Sequence, residues 1–156
     1  EPYFDLRPQH GPDDALVESD LDEWMRLRIR LWDENSEDDH RSEMLEILAD
    51  PESQQVFVAE AGPNNLVGFV EAGIRPFVED CMTDQVGYLE GWYVEPAFRH
   101  GGVGAGLVKA AEDWARSLGC TEMASDAEIG NELGIEAHAK VGYQETSRLV
   151  HFRKDL

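Results

Sequence analysis

The chain is 156 residues long with 42% hydrophobic and 9% aromatic residues, enough for one compact domain with a core of its own. Thirteen basic residues face 33 acidic ones, a formal charge of −20, which repels phosphate backbones and argues against nucleic acid as a partner. No apolar run approaches the ~20 residues of a membrane-crossing helix, so no membrane partner is expected. The acidity suits a cationic substrate, and it equally suits plain solubility or salt tolerance.

Residues 1–9 lack the basic stretch and apolar run of a signal peptide, although a mature secreted form would look the same. The two cysteines, Cys81 and Cys120, show neither a disulfide framework nor a metal-type spacing. Two reduced, buried thiols in a cytoplasmic protein are expected, with no metal. No repeat or linker interrupts the chain, so residues 1–156 read as a single domain.

In chain order, residues 3–7 read as a short strand and residues 10–20, broken by Gly11 and Pro12, as an irregular connection. Leu21, Trp24, Met25, Ile29 and Trp32 recur at helical spacing, with Asp20 as the expected N-cap. A second helix is expected over residues 39–48, carrying Met44, Leu45 and Leu48 and stopping before Pro51. Residues 55–61 and 66–74 are β-rich runs separated by Gly62-Pro63-Asn64-Asn65, a hairpin signature. A third run, residues 86–94, alternates through Tyr88, Glu90, Trp92 and Val94, which predicts these four side chains on one face.

Residues 102–118 predict a helix with Val103, Leu107, Ala110, Ala111, Trp114 and Leu118 as its apolar stripe and Gly119 as its stop. A short strand over residues 122–126, a helix over 132–140 and a last strand over 143–153 follow. This order implies an α+β fold: a mixed, mostly antiparallel sheet flanked by helices, with one parallel junction at the fourth and fifth strands.

The strand ending at Pro96 leads through Arg99 and a glycine-rich turn into a helix. That is the arrangement of an anion site, because first-turn N–H groups lack intrahelical acceptors and the helix dipole is positive there. No Lys-Ser or Lys-Thr follows the glycines, so the loop is not a P-loop. It follows a fourth strand, which sets it apart from a dinucleotide fingerprint. A plain helix-entry turn would carry similar glycines.

In context, Trp92-Tyr93-Val94-Glu95-Pro96-Ala97-Phe98-Arg99-His100-Gly101-Gly102-Val103-Gly104 resembles the acetyl-CoA signature of the GNAT N-acetyltransferases. The resemblance implies the GNAT fold, with the backbone of Trp92, Tyr93 and Val94 holding the pantetheine arm like an added strand. It further implies that the N–H groups of His100, Gly101, Gly102, Val103, Gly104 and Ala105 bind the pyrophosphate of acetyl-CoA, the acetyl donor.

Within that superfamily the chain is most similar to aminoglycoside 6'-N-acetyltransferases. The motifs that carry this are Leu31-Trp32, Leu89-Glu90-Gly91, the Arg99 loop, Glu122-Met123-Ala124-Ser125-Asp126 and Gly142-Tyr143-Gln144-Glu145-Thr146. The resemblance implies direct transfer of acetyl to the 6'-amine in a ternary complex, a role in antibiotic resistance, and a homodimer, in some relatives with exchanged C-terminal strands. It implies that Glu90 and Asp126 contact the substrate, with Asp126 the favoured base, that Trp32 borders it and that Asn131 contacts the cofactor. Phe77 and Ser147 stand at the substrate wall where some relatives carry a tyrosine and a glutamate.

Each residue also has a structural reading: Asp126 or Asn131 as a helix N-cap, Glu90 as half of an ion pair, Trp32 as a core residue. His138 and His151 are candidate proton carriers, though a helix histidine and a strand histidine with structural roles fit as well. The thioester carbonyl would be polarised by a backbone N–H near Trp92, where Gly91 permits a strand irregularity. Competing functions are acetylation of another cationic amine, such as a polyamine or a peptide amine, and a module that binds acetyl-CoA without turnover.

Overall fold

The computed structural model describes residues 5–8 and 18–156. Strand β1 (Asp5–Pro8) precedes helices α1 (Glu18–Leu31) and α2 (Glu37–Leu48). Strands β2 (Gln54–Glu60), β3 (Leu66–Arg75) and β4 (Val86–Val94) follow, then α3 (Val103–Ser117), β5 (Met123–Ser125) and α4 (Glu132–Lys140). The described strands form one sheet in the order β1-β2-β3-β4-β5. All neighbours are antiparallel except β4 and β5, which α3 connects in parallel. This is the expected α+β arrangement, parallel junction included.

The sheet buries both faces. Val56 and Val58 of β2 and Phe69 of β3 pack against Trp24 and Leu27 of α1 and Met44 and Ile47 of α2. Ala59, Val70, Ala72, Leu89 and Val94 pack on the opposite face against Val103, Leu107, Val108 and Ala111 of α3. Two apolar stripes at period 3.6 thus meet the two faces of strands at period 2.

Several expectations shift by helix phase. α2 buries His40, Met44 and Ile47, so Leu45 points outward, 57% exposed. Along α3 the buried set includes Val108 and Ala115, whereas Ala110 and Trp114 are half-buried and Leu118 is exposed. α1 begins at Glu18, which places Asp20 in the first turn rather than at the N-cap. Residues 3 and 4 of the expected first strand, and residues 10–17 of the expected connection, lie outside the described residues. Cys120 is buried and Cys81 only partly so. Residues 143–153 do not join the sheet: β5 is its last described strand, and Leu149, Val150 and Phe152 are exposed.

Beneath α1 lies a charged cluster. The Arg28 guanidinium, 1% exposed, binds Glu71 of β3 with one arm and Glu43 of α2 with another. Trp24 Nε1 donates to the same Glu71 carboxylate at 3.0 Å. Burial pushes the Glu71 carboxyl up from its ordinary range, and Arg28 and Trp24 pull against that shift. Removing one partner leaves the other buried and uncompensated. Glu71→Ala is therefore expected to destabilise the fold by about 3–5 kcal/mol, measured by urea denaturation.

Candidate active site

β4 and the loop after it carry most of the candidate site. After Val94 the chain makes a short 3-10 turn over Pro96–Phe98, and Arg99 folds back so that its Nε donates to the Val94 carbonyl at 2.8 Å. The Arg99 guanidinium lies 5.6 Å from the Tyr93 ring centre, which pins the loop to the end of the strand. His100 (φ +66°) and Gly102 (φ +88°) both take left-handed backbone, and Gly102 caps α3 with no side chain over its end. The first turn of α3 carries no acidic residue. The N–H groups of Val103, Gly104 and Ala105 are thus left without intrahelical partners, at an exposed loop and at the positive end of the helix. This is the backbone geometry that suits an anion.

β4 is not a regular strand. Glu71 pairs with Gly91 while Ala72 pairs with Leu89, so Glu90 is the extra residue of a β-bulge. The expected single face for Tyr88, Glu90, Trp92 and Val94 therefore does not form. Trp92 and Val94 pack on the α3 face, whereas Glu90 lies against Gly73, whose neighbours Glu71 and Phe69 serve the α1 face. β5 pairs only with Gly87, Tyr88 and Leu89, so beyond the bulge Gly91, Trp92, Tyr93 and Val94 have no described strand on that side. An opening in the sheet results, bordered by a free strand edge.

Trp32, just past α1, lies across this bulge. A Cβ on Gly91 would collide with Trp32 Cη2, so only glycine admits the indole here. The ring is held from three sides. Phe69 meets it edge-on at 6.3 Å, His40 stacks at 6.5 Å and the Arg28 guanidinium sits at 4.8 Å. His40 Nδ1 accepts from Arg28 Nε at 3.2 Å, which leaves Nε2 to donate to the Trp32 carbonyl at 3.0 Å. Trp92 closes the other side: its ring meets His138 of α4 edge-on at 5.4 Å and lies where a Gly104 Cβ would be 3.2 Å from Cζ2. Its Nε1 is buried without a hydrogen-bond partner.

The two candidate carboxylates stand at the opening. Glu90 accepts two bonds from Arg75 at the end of β3, from Nε at 2.9 Å and Nη2 at 2.6 Å. Asp126 follows β5 and accepts from the Tyr88 hydroxyl. Burial first, and Asp126 second, push the Tyr88 phenol well above its ordinary range, so it stays protonated and donates. The Arg75 guanidinium lies 3.5 Å from the centre of the Tyr88 ring. Arg75 and Tyr88 were not singled out from the sequence as site residues. The period-2 alternation Phe69, Glu71, Gly73, Arg75 is a sequence signal that would put Arg75 on this face.

Asp126 does not cap α4. That cap is Asn131, whose Oδ1 accepts from the Gly134 N–H at 2.9 Å. His138 donates from Nδ1 to the Gly134 carbonyl at 2.6 Å, so its Nε2 accepts from Ser125 Oγ at 2.7 Å. His151 is exposed. Phe77 is 73% exposed, and Ser147 Oγ donates to Asp80 Oδ2 at 2.6 Å, bringing the segment after α4 beside the loop that follows β3.

The model of the Acetyltransferase (GNAT) family matches residues 21–143. Over 140 residues the chain is 41% identical to an aminoglycoside N(6')-acetyltransferase type 1 of Klebsiella aerogenes, covering 88% of this chain and 92% of that protein. A second such protein, from Serratia marcescens, is 40% identical over 87% of this chain and 93% of its own length. Among solved structures, the aminoglycoside antibiotic 6'-N-acetyltransferase AAC(6')-IG from Acinetobacter haemolyticus superposes with a TM-score of 0.86 at 36% identity, covering 97% and 99% of the two chains. AAC(6')-Iy, solved with the bisubstrate analogue CoA-S-monomethyl-acetylneamine, gives a TM-score of 0.87 at 33% identity over 99% of each chain. The anion cradle, the bulged strand and these likenesses lead to one assignment: the chain belongs to the GNAT acetyltransferase family, and within it to the aminoglycoside 6'-N-acetyltransferases.

Proposed function

We propose that this chain transfers the acetyl group of acetyl-CoA to the 6'-amine of an aminoglycoside, by direct attack while both substrates are bound. The observation that carries the reading is the bulge at Glu90. It opens the sheet beside two carboxylates, while the same strand runs on into an anion cradle. The cradle fits a coenzyme A pyrophosphate, since His100, Gly101 and Gly102 are exposed and no carboxylate stands in the first turn of α3. The free edge of Trp92, Tyr93 and Val94 fits a pantetheine arm bound as an added strand. Asn131 spends its carbonyl oxygen on the α4 cap and has its amide group left to face the cofactor.

When bound, acetyl-CoA supplies an activated acyl group and a good leaving thiolate. The chain's residues do the rest. Glu90 and Asp126 hold the substrate ammonium, Trp32 forms one wall of its site, and Phe77 and Ser147 form another. Asp126 takes the proton that the ammonium must lose before its nitrogen can attack. A backbone N–H near Trp92, beside the bulge, would be the group to stabilise charge developing on the acyl oxygen. The acidic surface draws polycationic drugs towards the site, and resistance is the consequence in a cytoplasmic setting.

The working form is a homodimer. The segment after α4 exposes Leu149, Val150 and Phe152 and has no strand partner within the described chain, which suits its exchange with a second copy.

With kanamycin or tobramycin as acceptor, wild-type protein is expected to release free coenzyme A thiol; activity on spermidine and none on either drug would reassign the substrate. Asp126→Asn is expected to lower turnover about 10²-fold or more at saturating substrate. Turnover at the wild-type level would remove Asp126 as the base. Sedimentation should give twice the chain mass, and Val150→Asp combined with Phe152→Asp should give monomer; a monomeric wild type refutes the exchange.

A further inference from the structure

The two candidate substrate carboxylates stand at an opening, Glu90 in the bulge of β4 and Asp126 just past β5. Two like charges at such a mouth repel each other. Arg75 contacts Glu90 and lies over the ring whose hydroxyl contacts Asp126. The edge of its guanidinium meets Glu90 through two hydrogen bonds at 2.9 and 2.6 Å, and its face lies 3.5 Å from the Tyr88 ring centre. The Tyr88 hydroxyl in turn donates to Asp126.

We propose that Arg75 is a positioning residue of the transfer reaction: it fixes Glu90 directly and Asp126 through Tyr88, and so sets the spacing of the two carboxylates that receive the substrate ammonium. The inference rests on the reading of Glu90 and Asp126 given above and adds two residues to it. An exposed ion pair of this kind contributes little to stability, so its value must lie elsewhere. Planarity is what the arrangement uses, because one flat cation can present an edge to a carboxylate and a face to an aromatic ring. Lysine, a compact point charge, cannot do both. With Glu90 offset by Arg75, Asp126 is left to match the single ammonium that reacts.

Charged and titratable groups around Asp126 come from three elements: Arg75 from β3, Tyr88 and Glu90 from β4, and His138 from α4, which binds the adjacent Ser125. The Tyr88 hydroxyl fixes the direction in which the Asp126 carboxylate points, and Arg75 fixes the ring and Glu90. Losing the hydroxyl should therefore act on turnover, and losing the guanidinium on turnover and substrate binding together.

The test compares kcat and KM of wild type, Arg75→Lys and Tyr88→Phe in coenzyme A release with kanamycin, with thermal melting and coenzyme A affinity as independent readouts. Tyr88→Phe keeps the ring under Arg75 and should lower kcat about tenfold while keeping KM within about twofold. Arg75→Lys should raise KM about tenfold as well, because Glu90 loses its fork. Melting temperature and coenzyme A affinity should match wild type in both. Wild-type kcat and KM in both variants, or losses that only track falling thermal stability, overturn the inference alone. A wild type without turnover on aminoglycosides, or an Asp126→Asn variant with full turnover, overturns the underlying reading and the inference together.

Discussion

The buried ion pair between Arg28 and Glu71 sets where helix α1 sits on the sheet, and much of the site inherits its geometry from that contact. Taking two charges out of water costs several kcal/mol each, so the pair persists only because its remaining donors and acceptors are met. Trp24 serves the same Glu71 carboxylate, Glu43 a second arm of Arg28, and His40 its Nε. Such a network tolerates no sliding of α1 by a fraction of a turn. The last residue it positions is Trp32, held by the Arg28 guanidinium above its ring and by His40 at its carbonyl.

The same Glu71 pairs across the sheet with Gly91, at the edge of the bulge. One side chain therefore ties the helix that presents Trp32 to the strand position that Trp32 covers. The bulge does two jobs that a regular strand could not combine. It turns Glu90 and Gly91 in succession towards one face, and it ends the pairing of β4 with β5 after Leu89, which leaves a free edge beside the opening. At the far end of that edge Arg99 returns to the Val94 carbonyl and holds the glycine loop in place. A free strand edge and a helix terminus are thereby held in a fixed relation.

Much of this was legible in the sequence. The hairpin around Gly62-Pro63-Asn64-Asn65, the β4 bounds and the α4 bounds came out as expected, because turn residues and long periodic runs speak for themselves locally. The turn and helix entry at Gly102 were legible for the same reason, since a glycine-rich break before an amphipathic run is a local signal. What went astray were phases and partners. Leu45 and Leu118 are as apolar as the residues buried in their place, and only the direction of the neighbouring sheet decides which side of a helix is covered. The segment at residues 143–153 has strand composition, yet composition does not supply a partner, and it pairs with no strand of the described sheet.

Residue types and their order therefore determined the fold class, the helix entry at Gly102 and the family to which the chain belongs, because these depend on local backbone preference and on motifs read in series. The tertiary structure alone decided how Glu90, Tyr88, Arg75 and Asp126 form one cluster. A single extra residue in β4 reverses which side chains share a face; Gly91 signals that an irregularity is permitted there, but not that Glu90 is the residue left unpaired. The bulge is settled by the indole of Trp32 and the carboxylate of Glu71, side chains distant in sequence that meet only when the sheet and α1 have packed.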